Sequence, residues 1–227
     1  MSPIIHRIAS ITDLEVNWPR EQTAWLSTFE QEQLQWCRHL QRQREWLAGR
    51  WLCKQLIHDE TTIQTLTEID IQSRDVRSRA ARPRVLIAGR MQAMDVSITH
   101  SQDWIAVAIS TSPGCRVGID LVPRTAAAPR TLAFWLTEQE QQWLHDSRDD
   151  TLLPIIWSIK ESVYKATNRG ETFRPQQLEV RRSETGDYEC HGAGLSILTD
   201  CKIVVDTHQD HILTVTTHQT PSLAEAS

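Results

Sequence analysis

At 227 residues, 40% hydrophobic and 23% charged, the chain is long enough for one large domain or two compact halves, and no low-complexity stretch argues for disorder. A formal net charge of −5 argues against a general nucleic-acid binder, and apolar runs such as 104–109 fall far short of the roughly 20 residues a membrane-spanning helix needs. Five cysteines without a CxxC spacing argue against a disulfide framework and a zinc knuckle; with no secretory apolar segment at 1–11, they point to a reduced, cytoplasmic protein.

In chain order, Ser27 to Glu30 form a Ser-x-x-Glu capping box, and Trp36, Leu40, Trp46, Leu47, Trp51, Leu52 and Leu56 recur at helical intervals. The spacing predicts a short helix at 28–38 and a long one at 42–58. A strand at 69–72 is followed by a basic run with six arginines between 74 and 90 against one acid, Asp75; with Pro83 in it, this run reads as a loop. Alternating residues predict strands at 95–100 and 104–110 joined by a tight Ser101-Gln102-Asp103 turn, and a further strand at 116–121.

A Pro- and Ala-rich link at 123–129 precedes the second half. There Thr137-x-x-Glu140 caps a short helix to about 145, and Asp149, Asp150 and Thr151 offer N-caps for a helix over 152–167, with Pro154 in its first turn and a stop at 168–170. Short strands follow at 178–182, 188–190, 195–199, 203–206 and 211–217, then a loose tail at 221–227. Both halves run from helix into antiparallel strands, which hints at duplication, although no residue-level repeat is visible. The fold class reads as α+β in two halves, 1–115 and 116–227, and a seam between halves is where an active site often sits.

The stretch Trp157-Ser158-Ile159-Lys160-Glu161-Ser162-Val163-Tyr164-Lys165 holds two of the chain's four lysines. On a helix, Ile156, Ile159, Val163 and Ala166 form a core stripe, while Trp157, Glu161 and Lys165 share a neighbouring face that can line a cleft. Alone, Glu161 and Lys165 read as a surface pair. Asp120, behind Gly118 at the end of an apolar run, is either a loop cap or a buried acid needing a cation. Set beside Glu161, it gives two hard oxygen ligands of the kind Mg²⁺ takes while keeping water and phosphate oxygens. His100, with Thr99 beside it at a strand end, offers a ring nitrogen and a hydroxyl to a phosphate.

Together, Ser97-Ile98-Thr99-His100-Ser101, Val117-Gly118-Ile119-Asp120-Leu121 and the 157–165 stretch resemble the three ordered motifs of the phosphopantetheinyl transferases, in the larger pseudo-dimeric type that activates surfactin synthetase and acyl carrier proteins. Leu47-Ala48-Gly49-Arg50 and Ala81-Arg82-Pro83 resemble two weaker family segments. The resemblance implies a holo-acyl-carrier-protein synthase type of enzyme that moves the phosphopantetheine arm of coenzyme A to a serine of an apo acyl or peptidyl carrier protein, releasing adenosine bisphosphate. It implies Mg²⁺, or Mn²⁺ in its place, on Asp120 and Glu161, with Glu161, Lys165 and Asp120 catalytic. His100, Thr99, Arg82, Lys160, Lys165 and Arg50 would touch coenzyme A, with Arg77 and Arg79 as weaker candidates.

The implied protein is a monomer acting in fatty-acid, polyketide or nonribosomal peptide synthesis, with no nucleic-acid or membrane partner. Three positions depart from the family pattern: Val122 where many larger members have a second acid, Ser97 where Asn is common, and Ala81 where Gly is common. Two other readings use the same residues: a non-catalytic coenzyme A or carrier-binding module, and a metal-dependent phosphoesterase.

Overall fold

The computed structural model of the chain describes residues 4–74, 80–125, 134–168, 170–192 and 201–220. It divides into two units, Met1–Pro113 and Gly114–Ser227, both of mixed α+β build with antiparallel sheets. No helix among the described residues is long and apolar enough to cross a membrane.

The first unit opens with strand β1 (Ile5–Ser10) and helix α1 (Ile11–Asn17), capped by Ser10 Oγ accepting from the Asp13 amide at 3.3 Å. Neither was expected, since His6 and Arg7 break the apolar alternation of an edge strand that gains its stability by pairing with β5 (Trp104–Ser110). Helices α2 (Thr28–Gln35) and α3 (Leu40–Asp59) follow, the first held by the expected capping box of Ser27 and Glu30.

Strands β2 (Ile69–Arg74), β3 (Ala80–Ile87) and β4 (Arg90–Ser101) complete a sheet in the order β1-β5-β4-β3-β2. Strand β3 corrects the expectation of a loop around Pro83. A proline withholds a ladder donor, and here it lies inside the register shift against β2, between the pairs Gln72↔Arg84 and Arg74↔Ala80, and just ahead of the shift against β4 between Arg84 and Leu86. Trp51, Leu52, Leu56 and Ile57 of α3 pack with Ile69, Val85, Val96, Ile105, Val107 and Ile109 of the sheet, each such burial contributing about 1.5–3 kcal/mol.

The second unit begins with β6 (Cys115–Pro123), continues through α4 (Glu138–Asp146) and α5 (Leu152–Thr167), and ends with β7 (Leu178–Arg182), β8 (Tyr188–Gly192), β9 (Cys201–His208) and β10 (His211–Gln219). Its strands form a three-stranded sheet, β6-β10-β9, and a β7-β8 pair. The expected strand at 195–199 lies outside the described residues, as does much of the 123–129 link. Ile156, Ile159, Val163 and Ala166 of α5 are fully buried, as their helical spacing predicts.

A residue-level repeat, invisible as sequence, emerges once the units are compared. In each, the first strand pairs with the last in the same register: Ile5↔Ile109 and Ser10↔Trp104 in one, Cys115↔Gln219 and Asp120↔Thr214 in the other. Trp25-Leu26-Ser27 and Trp135-Leu136-Thr137 each lead into a capping box whose glutamate, Glu30 or Glu140, is wholly buried. Each glutamate ion-pairs with a wholly buried lysine of the long helix, Lys54 or Lys160. Lys54 Nζ also donates to the carbonyls of Trp25 (2.9 Å) and Leu66 (3.0 Å), and Lys160 Nζ to those of Trp135 and Pro175 (both 3.0 Å). The other glutamate oxygen accepts from a strand amide, Ile71 at 3.2 Å or Val180 at 2.8 Å. One polar clasp, built twice, ties the short helix, the long helix and the first strand after it.

Candidate active site

Asp120 stands inside β6, three residues before the end of a strand that runs past the expected stop at 121, and is 5% exposed; Glu161 and Lys165 stand one turn apart on α5. Helical side chains lean toward the N-terminus of their helix, so Lys165 reaches back over the strand. Its Nζ donates to Asp120 Oδ1 at 2.7 Å and to the Ile119 carbonyl at 3.1 Å, and lies 4.0 Å from Glu161 Oε2. One ammonium therefore stands within 4.0 Å of both carboxylates.

Gly118 makes this approach possible. A β-carbon there would lie 1.9 Å from the Ser162 carbonyl oxygen and 2.8 Å from the Ala166 nitrogen, so only glycine lets the α5 backbone lie directly on β6. Thr216, opposite Gly118 on β10, adds a hydroxyl contact to Ser162 at 2.8 Å. Trp157 packs on Trp135 with ring centroids 4.0 Å apart and edge-on against Phe173 at 5.7 Å, while Tyr164 meets Phe173 at 4.7 Å, so aromatic rings flank Glu161 on its own helix. Burial raises the Glu161 carboxyl above its ordinary range; the Asp120 charge adds to the rise and Lys165 opposes it.

The donor set fits one hard divalent cation. Two carboxylates converge on a point already stabilised by a positive charge, and Mg²⁺ commonly takes one or two protein carboxylates, leaving water and phosphate oxygens in its remaining positions. Among the described residues there is no group of three or more His, Cys, Asp or Glu side chains suited to a metal. Val122, where a further acid was considered, packs against the core of the second unit.

Lys160 behaves differently from its neighbour Glu161. All three of its N–H groups are taken by Glu140 and the carbonyls of Trp135 and Pro175, and its side chain is wholly buried, so the ammonium expected at coenzyme A has no donor left for it. Burial pushes Lys160 below its usual pKa against the pull of Glu140. Arg50 likewise turns into the first unit: 5% exposed, it donates to Ser73 Oγ at 2.6 Å, lies 4.7 Å over the Trp46 ring and has its Nε 3.8 Å from Glu30. Both lysine and arginine were expected at a ligand because the sequence cannot show the buried glutamates that claim them.

Arg82 forms an ion pair with Asp95 on the adjacent strand, Nε to Oδ1 at 2.8 Å. Thr99 and His100 are neighbours near the end of β4, Thr99 buried and His100 exposed. Arg42 of α3, which sequence reasoning missed, lies with Nη1 2.7 Å from His100 Nε2; since a guanidinium only donates, the imidazole accepts there. Glu45 stands 3.4 Å from Arg42 and 3.5 Å from His100. No spacing in the sequence links Arg42 to His100, because only the packing of α3 on the sheet joins them. Arg77 and Arg79 lie outside the described residues.

Residues 116–216, which hold Asp120, Glu161 and Lys165, match the family model of the 4'-phosphopantetheinyl transferase superfamily. The matched span takes in two of the three motifs, Val117 to Leu121 and 157–165, while the first, Ser97 to Ser101, lies ahead of it. Similar solved structures include a Thermotoga maritima holo-acyl-carrier-protein synthase, at 17% identity over 46% of this chain and 63% of that one, TM-score 0.37. The Chronobacterium ammoniagenes ACPS-CoA complex matches at 16% identity over 48% and 98%, TM-score 0.39, and the holo-ACP-synthase from Plasmodium yoelii at 18% over 48% and 94%, TM-score 0.36. The match spans less than two thirds of the Thermotoga chain. No curated protein matches this chain.

Proposed function

We propose that the protein transfers the phosphopantetheine arm of coenzyme A to a serine hydroxyl of an apo acyl or peptidyl carrier protein and releases adenosine bisphosphate. The observation that carries this reading is the convergence of Asp120, Glu161 and Lys165 inside the segment that matches the superfamily. Asp120 and Glu161 would hold Mg²⁺. Bound there, the ion would offset charge on the pyrophosphate and on the leaving phosphate.

The chain's own groups supply the rest. The serine oxygen bonds to the phosphorus that carries the pantetheine arm, the bond from that phosphorus to the bridging oxygen breaks, and the bisphosphate leaves with the bonding pair. Glu161, or a metal-bound water beside it, takes the serine proton. Lys165, a compact ammonium 2.7 Å from Asp120, stabilises the departing phosphate. In the first unit, Thr99, His100 and Arg42 offer a hydroxyl, an imidazole and a guanidinium to a coenzyme phosphate.

Incubation with coenzyme A, Mg²⁺ and a panel of apo carrier proteins, read by mass spectrometry, tests the reading. A carrier that gains the mass of the phosphopantetheine arm at one serine supports it. Free phosphopantetheine released without a carrier would identify a phosphoesterase, and coenzyme binding with no covalent change in any carrier would identify a binding module.

A further inference from the structure

On the second unit's sheet, Thr214 of β10 stands directly opposite Asp120 of β6 in antiparallel register, which puts the two side chains on the same face, with β-carbons about 4.5–5.5 Å apart. Two residues along that face the equivalent pair is Gly118 and Thr216, and the Thr216 hydroxyl meets Ser162 of α5 at 2.8 Å. One turn back along α5 from Ser162 is Ser158, so the step from 162 to 158 on the helix parallels the step from 216 to 214 on the strand. Ser158 and Thr214 are both 0% exposed, and neither hydroxyl has a hydrogen-bond partner among the described residues. Ser158 does not even bond back to its own helix, as Ser162 does to the Ile159 carbonyl at 3.0 Å.

Two buried hydroxyls left in this state cost more than the methyl groups that would fill the same volume. Thr214 faces Asp120 across the register, and because Arg116 donates to the Asn168 carbonyl while Gly118 lies against Ser162, α5 descends as β6 rises, which brings Ser158 toward the level of Asp120. We infer that Ser158 and Thr214 are positioning residues for Asp120: their hydroxyls seat one internal water against its carboxylate and hold that carboxylate turned toward the metal. An internal water needs a polar nook with two to four partners, which two hydroxyls and a carboxylate supply. Groups behind a ligating carboxylate typically change metal affinity by about 10–100-fold when removed. Ser158 thereby gains a role separate from that of the Glu161 and Lys165 face of the same motif.

This inference rests on the metal reading of Asp120, and its test separates the two. Mn²⁺ uptake by the full chain, followed by electron paramagnetic resonance without coenzyme A or carrier, gives a readout independent of turnover. Thr214→Val, which keeps the volume, and Ser158→Ala should each weaken Mn²⁺ binding about tenfold, while Thr214→Ser, which keeps the hydroxyl, should bind as wild type does. Circular dichroism confirms that each variant is folded. Wild-type affinity in folded Thr214→Val and Ser158→Ala, with binding still abolished by Asp120→Asn, would overturn the inference and leave the metal reading standing. No Mn²⁺ uptake by wild type would overturn both.

Discussion

Gly118 and Ser162 meet backbone to backbone: a β-carbon on Gly118 would fall 1.9 Å from the Ser162 carbonyl oxygen. This contact sets the height of α5 above β6 and so the reach of Lys165 to Asp120. Gly118→Ala should push the helix away, lower stability by about 1–3 kcal/mol through overpacking, and depress carrier loading more than the stability loss explains. Urea unfolding beside a loading assay checks it; a variant with wild-type loading would show that the spacing of helix and strand is not critical.

Glu161 and Lys165 are part-exposed, their side chains 23% and 26% accessible, and Glu161, 4.0 Å from Lys165, contributes little to the fold. Glu161→Gln and Lys165→Ala should each reduce the rate of carrier loading by about two orders of magnitude or more; the unfolding free energy should move by less than about 1 kcal/mol in Glu161→Gln and fall further in Lys165→Ala, which strands the buried Asp120 carboxylate. Near-normal transfer by both would refute their assignment.

Lys160 carries the opposite expectation. Lys160→Met strands the buried Glu140 carboxylate and should cost about 3–5 kcal/mol, whereas Glu140→Gln combined with Lys160→Met should recover a large part of that loss. Chemical denaturation of the two variants measures it. If Lys160→Met instead kept wild-type stability and lost coenzyme affinity, the lysine would belong at the ligand.

The raised Glu161 carboxyl gives a pH signature in metal-free protein. A carboxylate whose folded pKa lies above its unfolded value binds its proton more tightly when folded, so its contribution to stability is fully present below the unfolded pKa and is lost as pH rises through the folded one. In EDTA, Glu161→Gln should therefore be more stable than wild type at neutral pH, with the gap closing toward the acid side of the ordinary carboxylate range. Thermal melts across pH test this; a gap that widens on acidification would contradict the sign.

Much of the second unit was legible because local signals agreed. The helix start after Thr151 and the apolar stripe through Ile156, Ile159 and Val163 were readable for α5, although no side chain caps it, and Gly118-Ile119-Asp120 marks a strand that must approach something closely. What stayed hidden depends on partners distant in sequence. Pro83 and its arginines conceal β3 because a register shift on either side accommodates them, and His6 and Arg7 conceal β1 because only its pairing with β5 stabilises it. Adjacent residues Lys160 and Glu161 look alike in the motif, yet Glu140, twenty positions away, commits one to the core. The Trp-Leu-Ser and Trp-Leu-Thr segments before Glu30 and Glu140 are too short to reveal a repeat until the hydrogen bonds of each clasp are laid side by side.

A crystal structure of the protein grown with coenzyme A and Mg²⁺ tests the central claim most directly. The account predicts one Mg²⁺ about 2.1 Å from a carboxylate oxygen of both Asp120 and Glu161, with pyrophosphate oxygens in its coordination sphere and Lys165 against a phosphate. A pyrophosphate bound away from these residues, or a metal held by neither acid, would contradict it.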